Sequence, residues 1–300
     1  MMSVRWWQAT MNNEYAARYR DLYERHWWWR ARERAILELL DQCLPAIGRA
    51  RILDVGCGDG LLFDRLAQYG QVDGVEVNGA LVSPTNRWRE RIHIGPFDAE
   101  YRPDYRYDVI LMLDVLEHLP DPLAALRHAA TLLEDHGLLV IHVPAFMALW
   151  TTHDELNHHF TRYTQATLRD LIRRTDLRVQ TCHYTFHWTF PAKLAIRVKE
   201  TLFPGGTRPP RVPRRLVNTM AYAVCLLEQR LARHLRPTFG SSLLVVVRPT
   251  PRRAANQDHD LAAGVAEQPV AAPFPTTDWA PGTAPHGGCD PISCHVAAPR

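Results

Sequence analysis

A chain of 300 residues has room for one α/β domain of ordinary size with additions. Its 46% hydrophobic share supports a sizeable core, and a net charge of +3 is too small to mark a nucleic-acid binder. No apolar leader or run of membrane length stands out, and the cysteines at 43, 57, 182, 225, 289 and 294 show no paired spacing, so a reduced, cytoplasmic protein is expected.

Residues 1–48 read as an N-terminal helical cap, with one or two helices over 12–40. Tyr15, Tyr19, Tyr23 and Trp27 recur every fourth position and form an aromatic stripe whose plain use is to pack on the rest of the domain. Trp27, Trp28 and Trp29 point about 100° apart around a helix, so they cannot share one face. At least one must line a pocket or be covered by another segment, and His26 reads as a polar neighbour of these rings.

Arg51–Leu62, RILDVGCGDGLL, is the most informative stretch. Ile52, Leu53 and Val55 bracket Asp54 in a short buried strand, Gly56, Gly58 and Gly60 follow at every second position, and Leu61–Gln68 is expected to turn helical. Such glycines allow backbone angles other residues avoid and let a ligand approach the main chain. The phosphate loop GxxxxGK[ST] is absent, and GxGxxG fails because Leu61 stands at its third glycine. The remaining DxGxGxG opens on an acid that would repel phosphate and suits a ligand carrying positive charge. A second strand at 72–77 ends in Glu76, 20 residues after Gly56, where a carboxylate can accept from both hydroxyls of a ribose.

Further strands are expected at 91–94, 108–113 and 138–143. Asp98 lies in FDAE, and 108–113 runs into DVLEHL. Asp121-Pro122 opens a helix, with Gly137 at the position just past its end. Strands alternating with helices imply a parallel, doubly wound sheet that binds ligands at the carboxyl ends of its strands. The loop after the fifth strand, PAFMALWTTHDELNHHFTRY, brings His153, Asp154, His158 and His159 close together. It reads either as a hydrogen-bonded loop fixing the next helix, capped by Thr164, or as a substrate-facing wall. No cysteine or further carboxylate accompanies the cluster, so no metal is expected.

A helix at 165–175 and strands at about 178–185 and 242–248 complete the sheet, with a helical insert at 186–240. Phe190, Leu194, Val198 and Leu202 align opposite Lys193, Arg197 and Glu200, while Leu216, Met220, Ala223, Leu227 and Leu231 align on a second helix. The plain reading packs both stripes on the sheet or at a dimer contact. The alternatives are a cap over a substrate, or helices lying on a membrane surface through 188–235. Lys193 and Lys199 are the chain's only lysines, which disfavours a lysine-based mechanism. Residues 249–300 read as disordered.

LDVGCGDG, VDGVEVN, FDAE, YDVILMLDVLEHLPDP and LLEDHGLLVIHVP, in that order, resemble the successive motifs of class I S-adenosylmethionine-dependent methyltransferases of the bacterial small-molecule kind (type 11/12-like) over roughly residues 50–180. The resemblance implies a Rossmann-like seven-stranded sheet over 49–248, with S-adenosyl-L-methionine as cofactor. By resemblance, Asp54, Gly56, Cys57, Gly58 and Gly60 hold its amino-acid part, Glu76 its ribose and Asp98 its adenine. Asp114 lines the methyl-donor region, and Val77, Ala99 and Leu113 stand beside these residues. His159, Arg162 and Tyr163 reproduce an HxxRY pattern found in similar enzymes, and Trp27, His153 and Asp154 join them as acceptor-lining residues. For a hydroxyl acceptor, His118 and His159 are the nominees for the base. The acceptor is expected to be a small or lipid-linked molecule with an O or N nucleophile. A nicotinamide-dependent oxidoreductase and a nonenzymatic cofactor-binding scaffold are the other classes this topology allows.

Overall fold

The computed structural model describes residues 13–44, 48–203, 210–235 and 237–251, so nearly all of the tail read as disordered lies outside the described residues. Seven strands form one sheet: β1 (Ala50–Val55), β2 (Gly70–Glu76), β3 (Ile92–Ile94), β4 (Tyr107–Leu113), β5 (Leu133–Pro144), β6 (Leu177–Thr185) and β7 (Ser242–Pro249). Their order is β3-β2-β1-β4-β5-β7-β6. The first five run parallel, and β7 lies antiparallel between β5 and β6. This is the expected doubly wound α/β architecture.

Central strands are apolar at successive positions because both sheet faces are covered. In β4, Ile110 and Met112 enter one core with Leu126 and Ala129 of α4 (Pro122–Leu132) and Leu168 and Ile172 of α6 (Gln165–Arg173). Val109 and Leu111 enter the other with Leu22 of α1 (Asn13–Arg25), Ile36 and Leu40 of α2 (Trp27–Cys43) and Phe63 of α3 (Phe63–Leu66). Asp121 caps α4, with Pro122 at its first position, as read.

Three expectations are corrected. The helix after the glycine turn is the single turn α3, not 61–68. Gly137 does not follow α4 but lies inside β5, because α4 stops at Leu132 and the chain enters the sheet at once. The β4–β5 register jumps between Tyr107–Leu133 and Val109–Leu138, and an added Cβ at Gly137 would stand 3.0 Å from the Tyr107 carbonyl oxygen. The third correction concerns the insert, α7 (Thr189–Leu202) and α8 (Arg215–Leu235). Beyond Phe190, which packs against Phe146 and Phe239, its apolar stripes do not pack on the sheet. Leu194, Val198 and Leu202 of α7 and Leu216, Met220, Leu227 and Leu231 of α8 are all exposed, at 41–73%. The more polar faces turn inward instead: Lys193 and Glu200 line a cavity, and Asn218 is buried against the α1–α2 junction.

That junction is a small interior of its own. The Asn218 side chain accepts from the Trp27 N–H at 2.9 Å and donates to the Arg25 carbonyl at 2.8 Å, satisfying one helix-end group on each side. Ala31, Phe186 and Cys225 are buried together there, with Trp27, Trp28 and Trp188 packed around them. The tryptophan triplet divides as its angular spacing requires. Trp29 is buried against Tyr19 and His26, Trp28 meets His142 and Phe186, and Trp27 meets Trp188 at 5.1 Å between ring centroids.

Candidate active site

A cavity of about 970 Å³ opens at the carboxyl ends of β1, β2, β4 and β5. Its floor is the strand ends (Gly56, Gly58, Glu76, Leu113, Asp114), its roof is α2 and α7, and one wall is the segment following β5. That volume is at the upper end for a small-molecule site and can admit a cofactor together with part of a second molecule.

At the β1 end, Gly56 (φ +70°) and Gly58 (φ +55°) take left-handed backbone, which a side chain would strain. An added Cβ at Gly56 would also meet Val115 Cγ2 at 2.9 Å. The resulting turn aims main-chain N–H groups at the β2 end, where Gly58 donates to Glu76 Oε2 and Asn78 to Oε1, both at 2.8 Å. Burial raises the Glu76 pKa, and the backbone donors partly offset the rise. Asp54 is buried behind the turn. Burial pushes its pKa up to about 7, against the pull of the Arg32 charge, with a further rise from Glu76. A protonated acid in that position gains most from a cationic ligand, which would let it ionise.

Asp114, just past β4, takes left-handed backbone (φ +59°), as do Phe146 after β5 and Phe186 after β6. For non-glycine residues this costs of the order of 1–3 kcal/mol each, and such strain gathers at functional sites. The Asp114 carboxylate accepts from Arg32 of α2 and pairs with His142 Nδ1 at 2.8 Å. Burial alone would raise Asp114, but His142 and Arg32 reverse that and hold it well below the usual carboxylate range. Arg32 thus ties the roof to the floor.

The acceptor side carries a second charge network. Asp154 of α5 (Thr152–Leu156) is fully buried and receives a two-pronged contact from Arg162, Nε to Oδ1 and Nη2 to Oδ2, both at 2.8 Å. Its Oδ1 also pairs with His159 Nδ1 at 2.8 Å. Burial opposes the Asp154 charge, but His159 and Arg162 outweigh it and hold the pKa far down. His118 lies edge-on to His159, with ring centroids 4.6 Å apart. Burial, with His159 adding to it, lowers His118 to about 4 and keeps it neutral. Burial likewise lowers His153 to about 4, with Lys193 adding to the shift.

Several residues were not singled out from sequence. Glu117, in the quoted DVLEHL, is completely buried, and neither carboxyl oxygen has a hydrogen-bond partner among the described residues. Burial and the Asp114 charge raise its pKa well above the ordinary value. Glu117, His118 and His159 each offer a ligand atom within 4.8 Å of the others, supplying the further carboxylate the histidine cluster lacked in sequence. Arg32 and His142 were hidden because pairing with Asp114 needs a contact across 82 and 28 positions. Lys193 stands out in sequence as one of two lysines, both on one insert helix, but periodicity does not tell which face of that helix turns inward.

Of the residues named from sequence, Gly56, Gly58, Glu76, Leu113, Asp114, His118, His153, His159, Arg162 and Trp27 line the cavity. The others do not. Asp54 and Cys57 are buried behind the turn, and Gly60 packs on the Phe63 ring. Val77 is exposed, as are Asp98 and Ala99, and the Asp98 carboxylate accepts the Glu100 N–H of its own turn at 2.9 Å. Asp154 supports the wall from within, and Tyr163 is buried with its hydroxyl donating to the Leu116 carbonyl at 3.1 Å. The four described cysteines, Cys43, Cys57, Cys182 and Cys225, are free.

The model of a methyltransferase domain family matches residues 28–181. The ubiquinone biosynthesis O-methyltransferase of Xanthomonas campestris pv. campestris is 28% identical over 194 residues, covering 55% of this chain and 78% of that protein. The protein of the same name from Coxiella burnetii is 30% identical over 147 residues, covering 44% and 62%. A solved complex of a Haloferax volcanii methyltransferase activator with a methyltransferase overlays at a TM-score of 0.51 and 20% identity, across 79% of this chain and 95% of that one. That likeness is one of fold.

Proposed function

From the premise that the chain belongs to the methyltransferase domain family and is an S-adenosylmethionine-dependent enzyme, we propose that it methylates a hydroxyl oxygen of a partly apolar acceptor. The observation that carries this is the Arg162–Asp154–His159 array: a carboxylate clamped by arginine fixes one nitrogen of a histidine that lines the cavity. An imidazole oriented in this way is suited to take the proton of a hydroxyl. The relatives' names include O-methyltransferase, which agrees with an oxygen nucleophile.

When bound, the cofactor supplies an electrophilic methyl on a sulfonium. Glycine backbone at Gly56 and Gly58 and the carboxyl of Glu76 fit its polar ends, with Leu113 and Asp114 beside them and the acid Asp54 acting on its charge from behind the turn. His159 holds the hydroxyl proton on its second ring nitrogen while Asp154 retains the first. The α2 and α7 roof limits water, and the Arg32–Asp114 link keeps it seated over the strand ends. The test is His159→Ala, which is expected to lower turnover about 10²-fold with S-adenosylhomocysteine affinity unchanged. A loss below threefold would remove His159 from this role.

The unpartnered Glu117 carboxyl favours a second reading, in which Glu117, His118 and His159 seat a divalent cation beside the acceptor. Turnover that is abolished by EDTA and restored by magnesium or zinc would support it; full turnover after chelation would end it. For a lipid-linked acceptor, the support is the outward apolar faces of α7 and α8, flanked by Arg197, Arg211, Arg214 and Arg215. No described helix is long and apolar enough to cross a membrane.

A further inference from the structure

The chain has only two lysines against a large excess of arginine, and both line the cavity from α7. Elsewhere in the site each arginine has an acid: Arg20 with Asp59, Arg32 with Asp114, Arg162 with Asp154. Lys193 makes no ion pair among the described residues. Burial is the main reason its pKa falls to about 8; the Arg162 charge lowers it further, and the Asp154 and Asp114 charges offset only part of the fall. Burial keeps the nearby His153 ring neutral, and the Lys193 charge adds to that shift. Glu200, two turns along α7, is engaged by Thr152, whose N–H and hydroxyl both donate to it at 3.0 Å. A half-buried ammonium with no acid of the protein paired to it favours a ligand that answers its charge.

We propose that the Lys193 ammonium is the recognition point for an oxyanion, carboxylate or phosphate, carried by the methyl acceptor. This rests on the cavity being the methyl-transfer site. Lys193 lines the same cavity as His153, Asn157 and His159, so an anionic group held there leaves the rest of a small ring system beside the histidine pair. A single compact ammonium suits either anion, whereas the arginines that could form a planar fork are occupied by acids of the protein. The inward turn of the polar face of α7 has the same explanation, since it presents charge to the acceptor and leaves the leucines outside.

The test uses the full chain loaded with S-adenosylhomocysteine and calorimetric titration with benzoate, phenyl phosphate and neutral benzamide. At least one anion should bind tenfold or more tightly than benzamide. Lys193→Met should abolish that preference and Lys193→Arg should largely retain it, with melting temperature confirming that both variants fold. The anion with the larger preference identifies the acceptor group as carboxylate or phosphate. A preference below threefold in the unaltered protein, or an equal preference in Lys193→Met, overturns the proposal. Failure of S-adenosylhomocysteine itself to bind would instead defeat the underlying function, so the two failures are separable.

Discussion

Asp54 shows at the scale of one residue how the site is balanced. Its folded pKa of about 7 lies above an unfolded value near 3.9, so the folded protein binds the extra proton more tightly. The associated stability is fully present below about pH 4 and is lost as pH rises through 7, of the order of 4 kcal/mol in all. A cationic ligand reverses the preference. S-adenosylhomocysteine should therefore bind more tightly as pH rises from 5.5 to 8 and release a proton at pH 6, read by calorimetry in two buffers. Asp54→Asn should flatten both responses; an affinity independent of pH in the unaltered protein would mean that Asp54 does not face the ammonium. Glu76→Ala should weaken the same ligand at least tenfold, because each hydrogen bond to a charged group is worth about 1.5–3 kcal/mol. It also deprives Gly58 and Asn78 of their acceptor, so a folded Glu76→Gln variant is the control for disorder of the turn. Undiminished binding in a folded alanine variant would move the ribose elsewhere.

Among the elements, the insert and the N-terminal helices act as one roof. Asn218→Ala removes both helix-end partners at the α1–α2 junction and should cost about 1–3 kcal/mol, lowering the melting temperature without touching the strand ends. Replacing 188–238 by a short Gly/Ser turn should leave the sheet folded and S-adenosylhomocysteine binding measurable, with methyl transfer lost. An unfolded product would make the insert part of the core instead. The strand ends were legible in sequence because Asp54, the alternate glycines and Glu76 are local patterns that the backbone alone demands. The orientation of α7 was not legible: alternation fixes which residues share a face, but not which face meets the protein. Arg32, His142 and Glu117 were hidden for a related reason, since their partners or their lack of one exist only after distant segments meet. Gly137 was misread because a glycine past a helix and a glycine in an irregular strand look alike without the register.

For the whole molecule, the exposed leucines of α7 and α8 make an apolar face on the described surface. Anionic vesicles should therefore float the full chain at low salt, and Leu216→Ser with Met220→Ser should reduce the bound fraction several-fold. No flotation even at low salt would remove the membrane from the account. The sheet order has a further consequence, which falls on synthesis. β5 ends at residue 144, but its neighbour β7 begins at 242, 98 residues later in the chain. At about 5–20 residues per second a ribosome needs roughly 5–20 s to cover that gap. Throughout it, the row of main-chain groups along β5 from Leu139 to Pro144 has no strand to pair with. A growing chain in that state is a natural client for chaperones that mask apolar strands, and the finished enzyme carries no trace of the delay.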